Sequence, residues 1–320
     1  MNKTLLFFFL LIIYLSGCIH LDINSTEEVK IQNNLSDEDS FENNMALLNQ
    51  EPIAKKYDLS FDINAVPNKY PEMIPYFDKY GKVFGIPFFA TRGVTDDKLL
   101  HAMNIMAQYL DNDEDGIPDN QLVVEELLNQ EVGMILFSNE NEAENSQVWE
   151  SDAPMDRYQE LYSSETIITG SRFDASLEEI FHLITDKGYE GVYPSVFGEF
   201  PGSELAKLMD NARGGHFSNE GIIIEDGDRY TIAVPSSYPS TAWYTYDDKS
   251  CRYDCMNTEY IYWAMTSILG AQENRCNDIS HEWKLCTKEK VKNQDPGIYN
   301  LLTNPEYGFP SNLPDGSYGR

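Results

Sequence analysis

The stretch SLEEIFHL, residues 176–183, carries side chains that could bind a metal ion and activate water. Glu178 and His182 are four residues apart, so in a helix they lie on one face, one turn from each other. Carboxylates and imidazoles are both ligands of zinc. Glu179 lies further round the helix, where a carboxylate can act as a general base. The spacing is therefore compatible with two zinc ligands and a proton acceptor beside them.

Two helices are needed to position these groups. The first would face the core with an apolar stripe at helical spacing, formed by Leu177, Ile180, Phe181 and Ile184. The second is TEYIYWAMTSILG, residues 258–270, which is apolar on nearly all sides and predicts a buried helix that ends at Gly270. Glu259 is the lone acid of that stretch, and a charge entering a buried helix needs a partner or a metal. Glu259 is therefore available as a third ligand.

The two segments together resemble the gluzincin zinc peptidases, the lethal-factor-like branch in particular. The first segment reads EExxH where that family has HExxH, and the second reads E-aromatic-x-x-x-A. The resemblance implies a zincin-like helical core and a zinc-dependent peptidase, in which His182 and Glu259 bind zinc and Glu179 is the general base. Glu178 stands where the family has its first histidine. A carboxylate there still supplies a ligand, but its negative charge makes water on the metal less acidic.

Two structural interpretations compete with the metal site. Ser176 and Glu179 have the spacing of a capping box, and acids in a first helical turn are favoured by the helix dipole. His182 could instead be a half-buried histidine with an ordinary hydrogen bond. No motif selects a further ligand among the histidines His101, His216 and His281.

A second candidate metal site is the acidic loop LDNDEDGIPDN, residues 110–120. It has the alternating ligands of a calcium loop: Asp111, Asp113 and Asp115, then the carbonyl of Ile117 and the side chain of Asp119. Gly116 supplies the sharp turn, and predicted helices at 96–110 and 120–130 flank the loop. The pattern resembles EF-hand loops and, more closely, thrombospondin type 3 repeats, which implies a structural Ca²⁺.

The calcium loop departs from the EF-hand at its twelfth position, which is Leu122 instead of a glutamate. Glu125 or Glu126 could fold back to replace the missing ligand. The alternative interpretation is an acidic surface turn without an ion.

The N-terminus predicts export and a lipid anchor. The apolar run Leu5–Leu15 follows Lys3 and is shorter than the about 20 residues that span a bilayer, as in a secretory signal. LSGC, which ends at Cys18, resembles a lipobox; this implies a signal peptide over 1–17 and an acylated Cys18 that holds the protein on the outer face of a membrane. Residues 18–56 predict a disordered acidic tether. The alternative is a plain signal peptide with a chance cysteine.

Charge and cysteines narrow the class of protein further. The chain has 53 acidic and 23 basic residues, a net charge of −30, which excludes nucleic acid as a partner. Four cysteines remain in an exported chain and predict two disulfides rather than a zinc site, with the pairing open: Cys251, Cys255, Cys276 and Cys286.

The remaining sequence predicts one α+β domain over 57–320. We expect strands in KVFGIPFFATRGV, VGMILFS and ETIITG, a hairpin in GIIIEDGDRYTIAV, and an irregular tail beyond residue 290. Two functions fit this organisation. One is an anchored extracytoplasmic zinc metallopeptidase acting on peptides, stabilised by calcium; the other is a non-catalytic, calcium-binding surface lipoprotein.

Overall fold

A computed structural model describes residues 57–169, 172–225 and 228–319, which fall within one compact unit. The signal segment, Cys18 and the tether lie outside the described residues, as do the turn residues 226 and 227 of the expected hairpin. Among the helices of the described part of the chain, none combines the length and the apolar character that crossing a membrane requires.

The strands form a five-stranded sheet and a separate hairpin. Their bounds are β1 Ser60–Asn64, β2 Lys79–Val83, β3 Ile86–Ala90, β4 Gly133–Phe137, β5 Tyr158–Tyr162, β6 Gly221–Glu225 and β7 Asp228–Ile232. The sheet has the order β1-β2-β3-β4-β5, and β6 pairs with β7. β1, β2 and β3 are antiparallel, whereas β3, β4 and β5 run parallel. The sheet is therefore mixed, and β5 is one of its edges.

One expected strand is wrong. ETIITG was expected to be a strand, but residues 165–169 form a turn and irregular chain, and β5 precedes them. The N–H groups of Glu165 and Thr166 both donate to the carbonyl of Tyr162, so the chain turns as soon as β5 ends. Pairing with β4 therefore selected Tyr158–Tyr162, and the β-branched residues that follow were left outside the sheet.

Helices are the larger part of the regular structure in the described residues. They are α1 Asp96–Leu110, α2 Gln121–Asn129, α3 Glu140–Glu144, α4 Ser176–Leu183, α5 Glu190–Val192, α6 Pro194–Phe197, α7 Glu204–Arg213, α8 Tyr253–Ile268, α9 Lys288–Gln294 and α10 Pro296–Leu302. A π-helical stretch, Ile184–Tyr189, continues α4 into α5. Short 3₁₀ turns occur at Gln147–Glu150, Met155–Arg157 and Glu273–Arg275. Helices with a mixed sheet confirm the α+β class.

Two helix boundaries differ from the sequence expectation. α8 begins at Tyr253, so Glu259 lies in its second turn instead of at its head, and Asp254 is a second acid in the helix. The irregular tail begins later than expected, at residue 303, because α9 and α10 occupy 288–302. The end of α8 is as expected: Gly270 has a φ of +89°, the left-handed conformation of a helix terminator.

The sheet has a core on each face. Phe88 and Met134, neighbours on β3 and β4, contribute to the larger core; Phe89 and Ile135, one residue further on, contribute to the smaller one. The larger core also holds the apolar stripes of α1 and α4 and most of α8. α4 contacts α1, β5 and α8, so it is held between the sheet and the helix of Glu259.

Candidate metal centre

The packing of α4 against α8 brings Glu178, His182 and Glu259 together. One ligand atom from each residue lies within 4.8 Å of the other two, and Nε2 of His182 is 3.8 Å from Oε2 of Glu259. Ligand atoms of a tetrahedral zinc, each about 2 Å from the metal, are about 3.3 Å apart. A closing movement of about 1.5 Å or less would therefore complete the site.

The imidazole of His182 has an unsatisfied atom. The residue is 8% exposed, and its Nε2 is buried with no hydrogen-bond partner among the described residues. Buried polar side-chain atoms of native proteins usually have a partner. Because Nε2 faces Glu259, the atom without a partner is the one that a shared cation would contact.

The pKa shifts in the cluster favour a positive charge among its carboxylates. Burial lowers the pKa of His182, but the carboxylates of Glu259, Glu179 and Glu178 outweigh burial and raise that pKa to about 10. Burial raises the pKa of Glu178 to about 7, against the opposing charge of His182, and burial also raises the pKa of Glu259. A proton on the imidazole thus balances buried carboxylates, and a metal ion could replace that proton.

Glu179 is not a helix cap. Its Oε2 accepts a hydrogen bond of 2.7 Å from the side chain of Gln159 on β5 and lies 3.8 Å from Nδ1 of His182. The hydroxyl of Ser176 donates to Asp174, whose carboxylate also accepts the N–H of Ser176 at 3.1 Å, so Asp174 and not Ser176 caps the N-terminus of α4. The capping-box interpretation is therefore wrong. Glu179 contacts the ring nitrogen of His182 that does not face Glu259.

An open cleft of about 640 Å³ gives access to the cluster. Glu178, Glu179, His182 and Glu259 all line it, together with the disulfide between Cys251 and Cys255 at the start of α8. The second disulfide joins Cys276 to Cys286. The structure thus selects one of the pairings that the sequence left open, and one bridge adjoins the cleft.

Two tyrosines of the site escaped sequence reasoning. Tyr262 opposes the rise in the pKa of Glu178, and its ring centroid is 5.4 Å from that of His182. Tyr246 opposes the rise in the pKa of Glu259 and lines the cleft. Tyr262 follows Glu259 by three residues, a spacing that could have placed it on the same face of α8. Tyr246 lies outside any helix or strand and carried no local signal.

A second acidic cluster, which adjoins the same cleft through Asp186 and Glu199, was also missed. Asp186, Glu190 and Glu199 bring carboxylate oxygens within 4.8 Å of one another. They have partners in the protein: Lys187 lies 2.8 Å from Asp186, the hydroxyl of Thr258 donates to Glu199, and the N–H of Glu199 donates to Glu190. Asp186 and Glu190 follow His182 at intervals of four residues, which was a usable signal.

The acidic loop brings three of its expected ligands together. Asp111, Asp113 and Asp115 have oxygens within 4.8 Å, and Asp111 is completely buried. Asp119 lies outside this group, and its carboxylate accepts the N–H of Asn112 at 2.8 Å. The turn glycine is as expected, since Gly116 has a φ of +88°.

Three later positions were expected to bear on the completion of the loop: Ile117, Leu122 and Glu126. The N–H of Ile117 donates to Asp115 at 2.8 Å. Leu122, at the twelfth position, is 55% exposed. Glu126 does not fold back onto the loop, because its carboxylate accepts a hydrogen bond from the side chain of Gln130, the residue that follows α2.

The other histidines of the described residues pair with acids elsewhere. His101 lies 2.7 Å from Asp174, and the other two pairs are His216 with Asp210 and His281 with Glu282. His182 is the histidine that lines the cleft in the described part of the chain. The chain matches no protein-family model, no curated protein and no solved structure, so the resemblance to gluzincins rests on the two short segments alone.

Proposed function

We propose that this protein is an extracytoplasmic, membrane-anchored zinc peptidase whose metal ligands are Glu178, His182 and Glu259. The observation that carries the proposal is Nε2 of His182, which is buried without a hydrogen-bond partner 3.8 Å from a buried carboxylate. Imidazole nitrogen and carboxylate oxygen are a donor set that zinc accepts. The anchor is the proposed lipid on Cys18, which membrane fractionation of a Cys18→Ser variant tests.

The chain's own groups would divide the chemistry between them. Bound zinc supplies a Lewis acid, which polarises a peptide carbonyl and lowers the pKa of water. Glu179 accepts the proton of the attacking water and returns it to the leaving amine. The side chain of Gln159 donates to the Glu179 carboxylate at 2.7 Å, and Tyr262 and Tyr246 favour the ionised form of the ligand carboxylates. The open cleft of about 640 Å³ admits an extended peptide.

Zinc titration by calorimetry tests the metal site, with excess calcium present to occupy the acidic loop. Wild type should bind one zinc ion, and Glu259→Gln should abolish binding because it removes a ligand charge from a buried position. Glu178→His should tighten binding by about tenfold, since it restores an imidazole ligand. Glu190→Gln is the matched control and should bind as wild type does. If wild type and Glu178→His both bind no zinc, the peptidase proposal is wrong.

We further propose that calcium binds Asp111, Asp113 and Asp115, completed by Asp119 and the Ile117 carbonyl, and stabilises the fold. The three carboxylates with oxygens within 4.8 Å support this, because they repel one another unless a cation lies between them. The role is structural, since the loop is packed against the end of the chain through Tyr318 and Asp111.

A surface lipoprotein without catalysis is the second candidate. Glu178 in place of histidine favours it, because the added negative charge weakens the acidity of water on the metal. Peptide hydrolysis by the zinc-loaded protein separates the two candidates. Hydrolysis that is lost in Glu179→Gln supports the peptidase, whereas zinc binding without hydrolysis supports the non-catalytic lipoprotein.

A further inference from the structure

Residues 303–319, which we call the C-terminal strap, contact the helix that carries His182. The ring of Phe309 stacks on that of Tyr189 with centroids 4.1 Å apart and an angle of 7° between the planes. Phe309 also lies 6.2 Å from Phe181, and the hydroxyl of Tyr189 donates to the carbonyl of Tyr307 at 2.9 Å. Tyr189 ends the π-helical stretch that begins two residues after His182. The strap therefore holds the continuation of α4.

The other end of the strap is fixed to the acidic loop and to the last turn of α1. The side-chain oxygen of Gln108 accepts the N–H groups of Asp315 and Gly316 at 2.9 and 2.8 Å. That of Asn112 accepts the N–H groups of residues 311 and 312 at 3.0 and 2.8 Å. Tyr318 donates its hydroxyl to Asp111. Each of these two side-chain oxygens accepts the N–H groups of two neighbouring strap residues, and these bonds fix the register of the strap.

Gly316 shows how close this fit is. Its φ is +78°, and a Cβ built there would lie 2.1 Å from Nδ1 of His101, a side chain that is itself buried. A residue other than glycine would have to push the strap away from α1. The far end is therefore a fitted contact and not a loose tail.

The π-helical stretch explains why α4 needs outside support. π-helical hydrogen bonds are rare and occur mainly as short interruptions of α-helices, often at functional sites. On its core side α4 is also held by Tyr109, whose hydroxyl donates to the carbonyl of Leu177 at 2.8 Å and whose ring lies 5.2 Å from Phe181. Tyr109 holds the first turn of α4, and Phe309 holds the end of its π-helical continuation. His182 lies between these two supports.

We infer that the C-terminal strap positions His182 in the cleft, and that Phe309 is a positioning residue that acts through Tyr189. The consequence for zinc affinity rests on the proposed function, whereas the placement of the His182 imidazole does not. Loss of Phe309 frees the π-helical stretch, and the imidazole then loses its fixed orientation towards Glu259.

The test combines amide hydrogen exchange with NMR of the His182 imidazole in the metal-free, full-length protein. Phe309→Ala should speed the exchange of amides 184–192 by about tenfold and shift the imidazole signals. Phe309→Tyr keeps the stacked ring and should restore both readouts. Phe77→Ala is the control, since Phe77 is 3% exposed in the smaller core on the other face of the sheet. It should lower overall stability without changing the imidazole signals.

Two results would overturn the inference. One is an imidazole signal that stays at its wild-type position in Phe309→Ala. The other is equal acceleration of exchange at 184–192 in Phe309→Ala and Phe77→Ala, which would reduce the strap to a general contribution to stability. Zinc binding by wild type is a separate measurement, so a failure of the proposed function leaves these readouts decisive for the strap.

Discussion

Nε2 of His182 and Oε2 of Glu259 face each other across 3.8 Å in the packed interface of α4 and α8. The separation is too long for a hydrogen bond, and Nε2 is buried without any other partner in the described chain. Taking such charges out of water costs free energy that only close, well-bonded pairing offsets. At this spacing the pair does not offset the free energy that desolvation costs. A cation bound between the two groups would offset it.

Zinc is expected to stabilise the fold, because a ligand that binds only the folded state stabilises it by mass action. At a free zinc concentration 100 times Kd the gain is about 2.7 kcal/mol, which corresponds to a rise in Tm of about 5 °C for a domain of this size. Thermal unfolding with and without zinc, in excess calcium, measures the gain. Glu259→Gln should show no rise; a rise of the same size in that variant would place the metal elsewhere.

Glu179→Gln separates two roles for Glu179. As a general base, its loss should lower kcat by about 10²-fold or more and leave zinc affinity nearly unchanged, which is the result we expect. As a group that only orients the His182 ring through Nδ1, its loss should weaken zinc binding by about 10- to 100-fold. Calorimetry and peptide hydrolysis on the same preparation distinguish them. Weakened binding with kcat retained would contradict the assignment of Glu179 as base.

Local periodicity made part of the site predictable. The apolar stripe of α4 set which face Glu178 and His182 would occupy, and both do line the cleft beside it. The end of α8 at Gly270 followed from the freedom of glycine to adopt positive φ. In each case residues close in sequence decide the outcome, so the pattern could be read without knowing the fold.

Contacts between distant segments were not predictable. Gln159 reaches Glu179 only because α4 packs against β5, and Tyr246 and Glu259 line the same cleft only through the tertiary fold. The choice of β5 over ETIITG depended on pairing with β4, which strand propensity does not reveal. The strap and its stacking on Tyr189 likewise depend on the whole fold.

Asp174→Asn should destabilise the protein in a pH-dependent way. Burial raises the pKa of Asp174, but hydrogen bonds from His101, Ser176 and the N–H of Ile167 outweigh it and lower the pKa below its ordinary value. A lowered folded pKa gives stability that is present above the unfolded pKa of about 3.9 and is lost as pH falls through the folded value.

We therefore expect Asp174→Asn to cost about 2 kcal/mol at neutral pH, and the gap to wild type to shrink at acidic pH as the wild-type carboxylate is protonated. Urea unfolding at a series of pH values measures this. The control is Asp96→Asn at an exposed position of α1. A gap that stays constant down to the most acidic condition would show that the charge of Asp174 is not what matters.

Calcium removal should lower Tm in wild type and not in Asp113→Ala. Asp113 contributes one of the three carboxylates that face one another in the acidic loop, so its loss removes a ligand without disturbing buried Asp111. Thermal unfolding in calcium and in chelator gives the difference for each variant. Asp97→Ala, an exposed acid in the first turn of α1, should keep the wild-type response. An identical Tm for wild type in both buffers would show that calcium does not bind the loop.

The two disulfides should differ in their effect on zinc. Cys255 precedes Glu259 by one helical turn on α8, and its partner Cys251 lines the cleft beside it, so this bridge holds the first turn of the helix that carries the third ligand. The bridge between Cys276 and Cys286 lies beyond the end of α8 and does not line the cleft.

Replacing both Cys251 and Cys255 by serine should therefore weaken zinc binding by about tenfold, because the first turn of α8 can then fray and release Glu259 from its position beside His182. Replacing Cys276 and Cys286 should leave zinc affinity within about twofold of wild type. Loss of stability is expected in both variants and of similar size, since each bridge closes a short loop. Zinc affinity is thus the discriminating quantity, and equal weakening in the two variants would mean that α8 depends on overall stability, not on the bridge at its start.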